Sequence, residues 1–220
     1  VVGGLRETMS VKTVTSLTNA TVKAVRALHM RKEREDSGLF LAEGLKIVIE
    51  AIDCGHAPKI LMYGPDAADH PMLQKAAKAC AAAGGEVIEV NREILEKVSR
   101  RDNPQAVVGV FKQVYTPLSA IVPQSADCWV ALQAVRDPGN LGTIIRTADA
   151  AGAGGVILVG DCVDPYSVEG VRATMGSVFA VKIAKASVQE FLAWREEWPG
   201  SVVGTLLTAT VDHKSADYVK

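Results

Sequence analysis

The sequence predicts an α/β protein made of two units joined by a linker. Three observations carry this. Short apolar runs alternate with helical stretches of about ten residues along most of the chain, the pattern of strands and helices packed in layers. The alternation stops at 113–127, where Pro117, Pro123 and several Ser, Thr and Gln residues read as a linker between units at 13–112 and 128–220. The second unit then opens on an apolar run, Trp129 to Val135, that feeds a glycine-bearing turn and a helix. A strand–turn–helix of this kind presents backbone N–H groups and polar side chains at the carboxyl edge of a sheet, where open α/β sheets place ligands.

In the first unit, Ser16 or Thr18 can cap a helix running to about Lys32, with Val22, Val25 and Leu28 as its apolar stripe. Lys23, Arg26, Arg31, Lys32 and Arg34 make this stretch basic, either as a solvated face or as a patch that contacts phosphates. Leu39–Ala42 is a short strand, and Glu43-Gly44 turns it into a helix over 45–54. Glu43 is expected to be a buried carboxylate capping that helix. The alternation continues with a strand at 58–62, a helix at 71–83 closed by Gly84-Gly85, and a strand at 86–90. Asn91 caps a helix reaching Ser99, and Arg100-Arg101-Asp102-Asn103-Pro104 forms a polar loop before a closing strand at 106–111. Arg100 and Arg101 read either as a solvated charged turn or as a nucleic-acid contact.

The second unit reads as strand 129–135, helix 140–151, strand 155–159, helix 167–177, strand 179–184, helix 187–198 and strand 201–207. Asn140 is placed in the first turn, and Leu141, Ile144 and Ile145 face the sheet. Arg146 falls beside that stripe, able to reach the rim of a crevice. The run Val178-Phe179-Ala180-Val181 suits either a buried strand or a subunit contact, and Trp194 and Trp198 read as packing residues.

Composition narrows the function classes. The 220 residues are 48% hydrophobic with a formal net charge of −1, so any RNA surface must be a local patch and not a global basic field. The four cysteines lack a C-x-x-C pair and the four histidines are scattered, which points to reduced thiols in a cytoplasmic protein and to no metal site. No run of about 18 apolar residues suggests a membrane span. A dinucleotide fold would need G-x-G-x-x-G directly after its first strand; Asp161 and Asp164 lie near the right distance for its acidic residue, but Pro138-Gly139-Asn140-Leu141-Gly142 has the wrong glycine spacing.

The same turn carries a resemblance. Asn140, Gly142, Arg146, Thr147 and Ala148 are similar to the motif N-x-G-x-x-x-R-T-A of the SpoU/TrmH branch of the SPOUT RNA methyltransferases. Gly160 to Ser167, Val171 to Ser177, and Phe40-Leu41-Ala42-Glu43-Gly44 resemble further segments of that family, so the likeness spans roughly Asn19 to Thr210. It implies an L30e-like amino-terminal domain that binds RNA and a trefoil-knot domain that binds S-adenosylmethionine and dimerises. The implied reaction is methyl transfer to a ribose 2′-hydroxyl, on ribosomal RNA ahead of transfer RNA. Arg146 and Asn140 are the implied catalytic pair, with Asn140 orienting Arg146 or the ribose. A guanidinium with a pKa above about 12 is a poor base, so Arg146 is expected to clamp a phosphate and stabilise a developing alkoxide. The family sometimes assigns it the base role. Arg172 is expected either to hold a phosphate or to form a salt bridge, across a dimer interface or otherwise. Gly204 to Thr208 resembles the start of the cofactor pocket, with Leu207 and Thr208 as cofactor contacts. The family's later pocket motifs do not follow before Lys220, so most of the pocket is expected beyond that residue. The expectation is therefore a missing carboxyl-terminal piece of about 50 residues, the size of one or two α/β units. A non-catalytic RNA-binding protein on the same scaffold is the alternative.

Overall fold

The computed structural model describes residues 10–121, 128–205, 208–209 and 211–215. Two sheets organise it. The first has five strands in the order β1-β4-β3-β5-β2, formed by Lys12–Val14 (β1), Leu39–Glu43 (β2), Ile60–Tyr63 (β3), Glu86–Val90 (β4) and Val107–Lys112 (β5). β4 pairs parallel with both β1 and β3, whereas β5 pairs antiparallel with β3 and β2, so the sheet is mixed. Its helices are Ala20–Ala27 (α1), Arg31–Ser37 (α2), Leu45–Asp53 (α3), Pro71–Ala82 (α4) and Arg92–Ser99 (α5). The second sheet is parallel, in the order β6-β7-β8, from Trp129–Gln133, Gly155–Val159 and Ile183–Ala186. Pro138–Ala150 (α6) and Val168–Thr174 (α7) connect these strands, and Val188–Glu196 (α8) follows β8.

Several elements differ from expectation. The single basic helix is two. Asn19, not Ser16 or Thr18, caps α1, accepting from the Thr21 and Val22 N–H groups at 2.9 and 3.3 Å. Met30 then takes an extended conformation before α2. The break is held by Arg34, whose Nη1 donates to the Leu28 and His29 carbonyls at 2.8 and 3.0 Å, carbonyls that the end of α1 leaves open. β1 was missed because three residues carry too little alternation to register. The run Trp129–Val135 is not a buried strand: β6 lies at a sheet edge and only partly buried, and it ends at Gln133. β8 starts four residues later than expected. Gly176, at φ 108, turns the chain into a 3-10 turn over Ser177–Phe179, which carries those apolar side chains under the first unit instead of into a strand. Residues 201–205 are not a strand, and the rest of that expected element, Leu206 and Leu207, falls outside the described residues.

The two units meet across an apolar and ionic seam. The Phe40 ring from β2 lies 4.5 Å from Tyr166 and 5.6 Å from Phe179, and Phe111 from β5 lies 4.9 Å from Phe179. Val178, Phe179 and Val181 are therefore committed to this core, which settles their role as internal packing. The Tyr166 hydroxyl donates to the Val114 carbonyl at 2.6 Å and accepts from the Val114 N–H at 3.1 Å, and burial pushes its phenol up to about 12. In the second unit Phe191, Trp194 and Trp198 stack in series, 5.9 and 5.0 Å apart, against a small cluster under β7 and β8.

α6 and α7 touch through Gly142. A Cβ there would lie 2.3 Å from the Ala173 Cβ and 2.6 Å from its carbonyl carbon, and backbone cannot yield as a flexible side chain does. Gly142→Ala is expected to destabilise by roughly 1–3 kcal/mol, the range for overpacking, read as a lowered thermal midpoint.

Candidate functional site

The carboxyl edge of β6 passes through Asp137 into α6. Asp137 is the cap: its Oδ1 accepts from the Asn140 N–H at 2.6 Å. Pro138 fills the first helical position, where a missing N–H costs nothing. Asn140 therefore sits in the first turn of the helix and not in the preceding turn. The face packed inward is Leu141, Gly142, Ile145 and Ala148, with Ile144 only half-buried.

Arg146 stands exposed on the opposite flank. Among the described residues its guanidinium makes no hydrogen bond or ion pair. It borders a shallow, open depression lined by Thr143, Thr147, Asp149, Ala150 and Ser177. The hydroxyls of Thr143 and Thr147 are spent on the carbonyls four residues back, both at 2.9 Å, which leaves Arg146 as the free cation there among the described residues. Asn140 does not line the depression. Six residues along an α-helix correspond to about 120° of rotation, so the two side chains leave different flanks of α6.

The other expected contacts divide. Lys23 and Arg26 are exposed on α1, and Arg31 and Lys32 on α2, with Arg31 Nε 2.7 Å from Glu35 Oε1. Arg34 is not on this surface. Its side chain is 4% exposed and its Nη2 lies 2.7 Å from Asp164 Oδ2, Asp164 itself being 8% exposed. Asp164 Oδ1 also accepts from the Tyr166 N–H at 2.9 Å, so this acid is a structural anchor and not a nucleotide contact. Asp161 pairs with Arg136. Arg172 is likewise taken up: its Nη2 lies 2.8 and 2.7 Å from the two Glu43 oxygens, and its Nε lies 3.2 Å from Glu43 Oε2. Of the two roles expected for Arg172, the salt bridge is the one observed, and it lies within one chain. Glu43 caps no helix; the cap position of α3 is Gly44, with no side-chain bond.

Sequence reasoning missed both ion pairs as pairs. A charged residue closing an apolar run, as Glu43 closes Leu39–Ala42, is the signal that a buried partner exists, but nothing local names the partner 129 residues away. For a cofactor, the described residues do not assemble an enclosed slot. Thr208 is exposed, and both Leu207 and the terminal Lys220, beyond which most of the pocket was expected, lie outside the described residues. Among the described residues no cluster of His, Cys, Asp or Glu could hold a metal, and no helix is long and apolar enough to cross a membrane.

Comparison with known proteins matches residues 19–109 to the MRM3-like substrate binding domain and residues 127–218 to the SpoU rRNA Methylase family. The crystal structure of an rRNA methyltransferase from Sinorhizobium meliloti superposes with a TM-score of 0.89 at 52% identity, over 96% of this chain and 78% of that one. The same protein has also been solved AdoMet-bound. The 23S rRNA (guanosine(2553)-2′-O)-methyltransferase of Bacillus subtilis is 28% identical over 89% of this chain and 74% of its own length. A tRNA/rRNA methyltransferase of Synechocystis, itself uncharacterized, is 34% identical over 77% of this chain, which spans 61% of that relative.

Proposed function

The chain belongs to the SpoU rRNA methylase family, and from that premise we propose that it transfers a methyl group from S-adenosylmethionine to a ribose 2′-hydroxyl of structured RNA, ribosomal RNA ahead of transfer RNA. The observation that carries this is the free guanidinium of Arg146, exposed on the helix that follows the first strand of the methylase unit, in a chain 52% identical to an rRNA methyltransferase.

S-adenosylmethionine supplies an activated methyl group. What Arg146 contributes is charge and direction. Its planar fork can hold a backbone phosphate bidentately and aim a further N–H at the 2′-oxygen as negative charge develops there. Holding the reacting oxygen in line is itself worth roughly 7–11 kcal/mol in well-oriented systems. Asn140 serves from the first turn of α6 as a contact to the ribose or its flanking nucleotide; its flank of the helix does not support a role in orienting Arg146. Thr208, with Leu207, is the proposed start of the cofactor side. Lys23, Arg26, Arg31 and Lys32 are the proposed RNA surface, and Arg34 and Arg172 leave that set because Asp164 and Glu43 occupy them.

The division into 13–112 and 128–220 is part of the same proposal, with dimerisation through the second unit. Exposed Met175, Val188 and Leu192 support an apolar contact there. The cytoplasm is the proposed compartment, supported by four unpaired cysteines.

Incubation of the full-length gene product with methyl-labelled S-adenosylmethionine and ribosomal RNA from cells lacking the gene is expected to label the RNA. No transfer to that RNA or to total transfer RNA would reduce the protein to a binding module.

A further inference from the structure

Beside Arg26 of the proposed RNA surface, further cationic side chains with no role assigned above gather at one end of the first unit. α1 and α5 lie side by side and run the same way. Their starts are tied where Asn91 Nδ2 donates to the Thr15 carbonyl at 3.3 Å, and their ends where His29 Nε2 meets the Val98 carbonyl at 2.7 Å. A carbonyl only accepts, so that nitrogen carries the proton; burial holds the imidazole below its usual pKa. The two carboxyl-terminal ends therefore open together, with Arg26 in the last turn of α1 and Lys97 in the last turn of α5. Cations at this end also suit the helix dipoles.

Arg100 and Arg101 come directly after α5, both exposed and, among the described residues, with no side-chain bond of their own. Nearby Glu96 is engaged by Arg92 at 2.9 Å, and only Asp102 follows as a counter-charge. Arg100 holds φ 55 and ψ 40, the left-handed conformation that glycine or asparagine would take with less strain. The exposed cation is thus kept at a backbone cost that glycine would avoid.

The turn is also pinned from outside. A helix leaves its last carbonyls unpaired. Here His29 takes that of Val98, and Arg172 Nη2 takes that of Ser99 at 3.3 Å. Arg172 is clamped in turn by Glu43 and sits next to Ala173, the residue on which Gly142 of α6 closes. One path of contacts thus fixes the arginine turn relative to the helix that carries Arg146.

We propose that Arg100 and Arg101, with Arg26 beside them, form a phosphate clamp for the RNA backbone, held at a set distance from Arg146 by the Glu43–Arg172 bridge. The clamp rests on the RNA reading above. It recognises the sugar–phosphate chain and not base identity, so its signature is salt dependence.

The test measures equilibrium binding of ribosomal RNA, from cells lacking the gene, between about 50 and 200 mM KCl. The wild type is compared with Arg100→Gly/Arg101→Ala and with Arg100→Lys/Arg101→Lys. Glycine at 100 relieves the backbone strain, so the first variant keeps its thermal midpoint. It is expected to bind roughly tenfold more weakly at the low-salt end and to lower the slope of log K against log salt by about 1 to 2. The lysine pair is expected to restore the slope. An unchanged slope in the glycine–alanine variant, beside a wild type that binds and methylates, overturns the clamp and leaves the methyl-transfer reading standing. A wild type that neither binds nor methylates ribosomal RNA overturns both.

Discussion

Arg146→Ala is expected to lower kcat for methyl transfer about 10²- to 10³-fold, the range seen when one preorganised donor to a developing oxyanion is removed. The Michaelis constant for S-adenosylmethionine should not move, because the guanidinium faces the RNA side in the proposed mechanism. Arg146→Lys is expected to recover part of the loss. It keeps the charge and loses the planar fork. No fold defect should accompany either change: the side chain is exposed, contacts no acid among the described residues and lies off the buried face of α6. Steady-state kinetics with RNA and S-adenosylmethionine each varied at a saturating level of the other separates these outcomes. An alanine variant with undiminished kcat would remove Arg146 from the chemistry.

The largest effect on stability is expected from Asp164→Ala. Arg34 is 4% exposed on its side chain, and Asp164 is its only acidic partner among the described residues of the seam. A buried ion pair adds little over an apolar pair of the same shape, but removing one partner strands the other charge, at a cost of about 3–5 kcal/mol. In a chain of this size that lowers the thermal midpoint by about 10 °C or more. Arg34→Met combined with Asp164→Leu should recover part of the loss and not all, because Arg34 also closes the Leu28 and His29 carbonyls at the break between α1 and α2. The Glu43–Arg172 pair should respond more weakly, since the Arg172 side chain is 27% exposed and water can solvate it when Glu43 is lost. Midpoints by circular dichroism order the three variants.

What was legible in the sequence follows the range of each interaction. The amphipathic α5 with its Asn91 cap, the Pro71 start of α4 and the strand at 86–90 are set by neighbours within a turn or a ladder, and they stand where the spacing put them. Boundaries failed where a distant partner intervened. Arg34, which looked like one more cation on a basic helix, breaks that helix because Asp164 draws it inward. Val178 and Phe179 have strand composition, yet Gly176 diverts them beneath Phe40 and Phe111. In the candidate site, the exposure of Arg146 followed from its position off the apolar stripe. The role of Gly142 did not: its lack of a side chain serves contact with Ala173, which helical spacing alone cannot foresee. Asn140 was placed one step too early because Asp137, and not Asn140, caps the helix.

The position of the transferred methyl group decides whether this helix serves ribose chemistry. A methyl on the 2′-oxygen blocks attack on the adjacent phosphate, so alkaline hydrolysis of labelled RNA leaves the label in an alkali-resistant dinucleotide. Methylated bases are released in mononucleotides. Ribosomal RNA labelled by the wild-type protein and digested with alkali is predicted to yield its label as one dinucleotide, formed far more slowly when Arg146→Ala is used. Label recovered in mononucleotides, or a dinucleotide formed equally well by Arg146→Ala, would contradict the assignment of this helix and its guanidinium to ribose methylation.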